Sequence, residues 1–122
     1  MYPPVFDVCS GDTGVLDVLG DGPRVRLYPF GDAPQDEKKP YAVWQIVYGS
    51  PENSLNDIPD VDSYGIQVDV YGLTQASSRD AAMALRNAME PVAYVVGWNA
   101  ELRDPTTKNY RVSFTVDWIV NR

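Results

Sequence analysis

Two runs of strict alternation, over residues 64–71 and 110–120, constrain this chain more than any other feature. In the first, Tyr64, Ile66, Val68 and Val70 fall on one side, and Gly65, Gln67, Asp69 and Tyr71 on the other. In the second, Tyr110, Val112, Phe114, Val116 and Trp118 alternate with Arg111, Ser113, Thr115 and Asp117. A period of two with one apolar side is the signature of a strand whose sheet buries one face only. Such a sheet needs a partner layer. The sequence supplies one between the runs: Ala81, Ala82, Leu85, Ala88 and Met89 recur at helical spacing, with Arg79, Arg86, Asn87 and Glu90 on the other side. Pro91 closes that helix, and Ser77 or Ser78 is its predicted cap, Ser77 with Asp80 forming a capping-box pattern.

The remaining elements are shorter. Residues 3–19 read as a weak helical segment, broken near Asp12, a candidate N-cap. Gly20 is placed to end it in the left-handed conformation. Residues 24–28 read as a short strand. Residues 29–40 hold Pro29, Pro34 and Pro40 with four adjacent charges, and are predicted as an exposed loop. Residues 41–48 are apolar on both sides, which fits a strand covered either within its own sheet or by a neighbouring subunit. Residues 51–62 read as an acidic, turn-rich loop, 92–98 as another apolar strand, and 103–109 as a turn. The predicted order is α-β-β-β-α-β-β. It gives an α+β fold with a mainly antiparallel sheet of about five strands, a short N-terminal helical segment and one longer helix on a face. At 122 residues the chain is expected to form a single domain, 1–122, burying roughly 65–70% of its unfolded surface without disulfides or metal.

Composition narrows the chemistry. There is no histidine, which removes the usual base of a nucleophilic dyad or triad. Cys9 is the only cysteine, so neither an internal disulfide nor a zinc site can be assembled, and its apolar neighbours suit a small buried hydrophobe. No phosphate-cradling glycine motif is present. The opening Met1-Tyr2-Pro3-Pro4 lacks a basic signal-peptide start, and no apolar run approaches the ~20 residues that span a bilayer, so maturation in a cytoplasm is expected. Asp57, Asp60 and Asp62 cluster in the acidic loop, leaving three readings: a solvated loop, a weak cation site, or a carboxylate-dependent metal enzyme. The net charge of −7 supplies no basic stripe for nucleic acid. It serves solubility, or a surface past which DNA slides without sticking. Eight tyrosines and three tryptophans fit an aromatic core or an assembly interface.

Taken in order, several segments resemble the siphophage tail-terminator and tail-completion family. They are Arg24-Val25-Arg26-Leu27-Tyr28-Pro29, Ala33-Pro34-Gln35, Pro40-Tyr41-Ala42-Val43-Trp44-Gln45, Gln67-Val68-Asp69-Val70-Tyr71 and the helical run Ala81-Ala82-Met83-Ala84-Leu85-Arg86. Order and spacing, rather than any one segment, carry the resemblance, which covers nearly the whole chain. It implies a non-catalytic virion protein without cofactors, assembled in the host cytoplasm. Such a protein forms a ring, typically a hexamer, on the head-proximal end of the tail tube. There it stops tube polymerisation and meets the head-completion proteins, and DNA passes its lumen without specific binding. Ala33, Pro34, Gln35, Pro40, Tyr41 and Trp44 are the candidate interface residues, with packing inside the chain as the competing role. Another head–tail connector or a tail-tube subunit is the alternative within the same structural class.

Overall fold

A computed structural model describes residues 2–52 and 61–121. Helices α1 (Val5–Ser10) and α2 (Thr13–Leu19) lead into the short strands β1 (Gly20–Asp21), β2 (Arg24–Val25) and β3 (Leu27–Pro29). Strands β4 (Tyr41–Glu52) and β5 (Val61–Gly72), helix α3 (Gln75–Met89), and strands β6 (Tyr94–Arg103) and β7 (Tyr110–Asn121) follow. The main sheet has five strands in the order β3-β4-β5-β7-β6. β1 and β2 form a separate antiparallel pair.

The two alternating runs are the centre of the sheet. β5 and β7 pair antiparallel along their whole length, setting Ile66 opposite Val116, Val68 opposite Phe114 and Val70 opposite Val112. All six side chains are buried. α3 lays Ala81, Ala82, Leu85, Ala88 and Met89 onto this face, and α1 and α2 add Val5, Cys9, Val15 and Leu19 to the same core. The helices therefore cover one face of the sheet. The other is predominantly polar, with Gln67, Asp69, Ser113, Thr115 and Asp117 on the central strands.

Several boundaries differ from the sequence reading, each for a local reason. Asp12 does cap α2, accepting from the Val15 amide at 3.1 Å. Gly20 is extended (φ −73°, ψ 143°) rather than left-handed, because the chain enters β1 at once. Gly22 takes the positive φ, 63°, in the β1–β2 turn. α3 starts earlier than expected: Thr74, not Ser77 or Ser78, is the N-cap and accepts from the Ser77 amide at 3.0 Å. Ser78 is instead buried, its hydroxyl donating to the Thr74 and Gln75 carbonyls. The expected 24–28 strand is interrupted at Arg26, and β3 runs parallel to β4. The 51–62 segment is strand at both ends, since β4 runs to Glu52 and β5 begins at Val61. The strand expected over 92–98 spans Tyr94–Arg103.

Candidate assembly surfaces

One buried arginine organises the region around the predicted interface loop. Arg26 is only 4% exposed. Its guanidinium donates to three backbone carbonyls: Pro40 at 2.8 Å, Val18 at 3.1 Å and Gly20 at 3.2 Å. The Asp21 carboxylate stands 3.9 Å away. The rigid, five-donor fork suits such convergent acceptors in a way a lysine does not. It ties the end of α2, the β1 strand and the start of β4 together. The Arg26 main chain also takes part, its amide donating to Leu19 and its carbonyl accepting from Ala42.

The loop after β3 is clasped by a second polar cluster. The Tyr28 hydroxyl donates to Glu37, and Arg24 donates to the Tyr28 oxygen at 2.6 Å and to Glu37 at 3.0 Å. The hydrogen bond from Tyr28, joined by one from the Lys38 amide, holds the Glu37 carboxyl below its ordinary value. Burial and the same carboxylate push the Tyr28 phenol up. Between these anchors, Ala33 is half-buried while Pro34 and Gln35 are exposed. Pro40 follows a cis peptide bond and is held through its carbonyl by Arg26. Tyr41 is half-buried and stacks on Tyr71, with ring centroids 5.0 Å apart. Trp44 is half-buried opposite Pro29 and Val68, and among the described residues its indole N–H has no hydrogen-bond partner. The six predicted residues thus split: Ala33, Pro34 and Gln35 belong to the loop, while Pro40, Tyr41 and Trp44 join its exit to the sheet.

Two further surfaces were less visible in the sequence. β3 covers only Ala42–Trp44 of β4, so the outer part of β4 has a free edge where Ile46, Val47 and Tyr48 are exposed. At the opposite end of the sheet, β6 is exposed along most of its length, with Tyr94, Val96, Trp98 and Leu102 open to solvent. The signal was present in the uncharged run from Tyr94 to Ala100, but a buried strand has the same composition.

No group of three or more histidine, cysteine, aspartate or glutamate side chains is placed to hold a metal ion among the described residues. Asp57 and Asp60 lie outside the described residues, and Asp62 sits in β5 opposite Pro51 and Val120. Burial pushes the Cys9 thiol up to about 12, so it stays protonated and inert. A cleft of about 520 Å³ lies between the Tyr41–Tyr71 stack and the β6–β7 turn, lined also by Arg103, Asp104 and Arg111. Its one acid, Asp104, is occupied by the Thr106 and Thr107 amides.

The profile of the family "Tail completion protein gp17" matches residues 3–121. The chain belongs to that family. Among solved structures, a chain from the virion of a native gene transfer agent particle superposes with a TM-score of 0.63 at 12% identity, covering 97% of this chain and 92% of that one. The bacteriophage SPP1 gp17 protein gives a TM-score of 0.58 at 12% identity, covering 97% of this chain and 86% of that one. At this identity the superpositions establish a shared fold. No curated protein sequence matches this chain. As a tail completion family member, the protein is a structural component of phage assembly, and its surfaces rather than a pocket are where function is to be sought. No described helix is long and apolar enough to cross a membrane.

Proposed function

We propose that this chain works as one domain that assembles into a closed, hexameric ring on the head-proximal end of the tail tube. The ring ends tube polymerisation and presents a landing surface to head-completion proteins. The observation that carries the reading is the amount of apolar surface left open at the two ends of one sheet, in a member of the tail completion family. A monomer rarely leaves long apolar strand edges in water, because they template aggregation. A ring uses such surfaces, since each copy offers two different patches whose repeated contact closes. The net charge of −7 suits a lumen that passes DNA, because like charge keeps the polymer from adhering. In this reading the loop bearing Ala33, Pro34 and Gln35 reaches a neighbouring copy, while Pro40, Tyr41 and Trp44 fix the base from which it projects.

Light scattering coupled to size-exclusion chromatography tests the proposal. A discrete species of roughly six times 13.6 kDa is expected. A series of ever longer species would instead indicate a tube subunit, and a strict monomer at every concentration would refute self-assembly. Scrambling Ala33-Pro34-Gln35 is expected to weaken the ring and leave the monomer folded. An unchanged ring would remove the loop from the interface.

A further inference from the structure

We infer that the ring closes by setting the β6 edge of one copy against the β3–β4 edge of the next. The inference rests on the ring reading and adds which surfaces meet and in which direction. Three independent features of the sheet support it.

The first is exposure. Tyr94 (71%), Val96 (55%) and Trp98 (47%) stand open on β6, and Ile46 (37%) and Val47 (46%) on the outer part of β4, where the Tyr48 ring instead lies back over Gly65 and its hydroxyl donates to Asp117. Both segments are uncharged: no Asp, Glu, Lys or Arg occurs from Tyr41 to Pro51 or from Tyr94 to Ala100. The second is level. Reading register across the sheet, Ile46 pairs with Ile66, Ile66 with Val116, and Val116 with Val95, the neighbour of Val96. The apolar part of one edge therefore stands at the same height as the apolar part of the other. The third is direction. β3 runs parallel to β4, and the β4–β5, β5–β7 and β7–β6 pairs are each antiparallel. β6 consequently runs opposite to both β3 and β4. A second copy displaced along the hydrogen-bonding direction brings its β6 antiparallel to this edge, the more stable pairing.

The occupant is a second copy of this chain, whose β6 matches this edge in apolar surface, level and direction. β6 is bulged between Val95 and Gly97 and between Trp98 and Ala100, which limits the ladder to short segments and leaves much of the contact to side chains.

The test uses two single variants, V47C and V96C, joined by a short bismaleimide. Each introduces one accessible thiol, and the buried Cys9 of the parent chain provides the unreactive control. Cross-linked dimer is expected when the two variants are mixed and at most background when either is alone. Cross-linking of V96C by itself would show an isologous β6 contact and overturn the head-to-tail arrangement. Absence of cross-link in a mixture that scattering shows to be oligomeric would overturn the inference and leave the ring standing. A mixture that stays monomeric and uncross-linked at high concentration would overturn both. Circular dichroism matching the parent chain establishes that each variant is folded.

Discussion

Replacing Arg26 by methionine removes the fork that holds three carbonyls while keeping a side chain of comparable length and buried volume. The donors to Pro40, Val18 and Gly20 are lost together. Each buried acceptor left without a partner costs about 1–3 kcal/mol. The apolar stem of methionine recovers part of the packing, and water at the rim relieves the acceptors it reaches, so the net loss expected is about 3 kcal/mol. A chain of 122 residues has a total stability of roughly 6–18 kcal/mol, so the change is large enough to measure cleanly. Urea unfolding followed by tryptophan fluorescence is the assay, with the midpoint expected to fall and the slope to stay constant. Lysine at the same position keeps the charge but cannot reach three fixed carbonyls, and is expected to recover less than half of the loss. A methionine variant within about 0.5 kcal/mol of the parent would refute the argument, because it would make the buried guanidinium equivalent to a hydrophobe of the same shape.

The cap assignment separates Thr74 from Ser77: T74A is expected to lose about 1 kcal/mol in the same assay and S77A only a few tenths, and the reverse order would restore the sequence reading. Glu37 gives a pH signature. Its carboxyl is held below its ordinary value of 4.5, so its contribution is complete above that pH and is lost as pH falls through the lower folded value. Melting temperatures from about pH 6 to about pH 3 should therefore fall more gently in E37Q than in the parent chain, and parallel curves would show that the Tyr28–Glu37 clasp adds nothing.

The central sheet and its long helix were legible in the chain because their patterns are self-contained. Alternation over 64–71 and 110–120 matched β5 and β7, and the small-residue stripe from Ala81 to Met89 matched the buried side of α3. Asp12 was recognisable as a cap for the same reason, since its partner lies three residues away. The loop over 29–40 was legible from its prolines and charges, whereas the hydrogen bond from Arg26 that holds Pro40 at its exit was not.

What tertiary structure alone decided involves partners distant in sequence. Arg26 lies between Val25 and Leu27, where alternation sets it facing outward, yet it is buried because three carbonyls from two other segments converge on it. Asp69 also falls on the polar side of its strand and is nonetheless nearly buried, set between Val43 and Ser113 of the flanking strands. The parallel pairing of β3 depends on how the 30–40 loop returns to the sheet, a path no local pattern encodes. Most consequential is strand order. β6 and the outer part of β4 have the apolar composition of interior strands, and only their places at the ends of the sheet make them surfaces. Hydrophobic periodicity reports which side of a strand avoids water, but hydrogen-bond neighbours along the edge are set by the path of the whole chain.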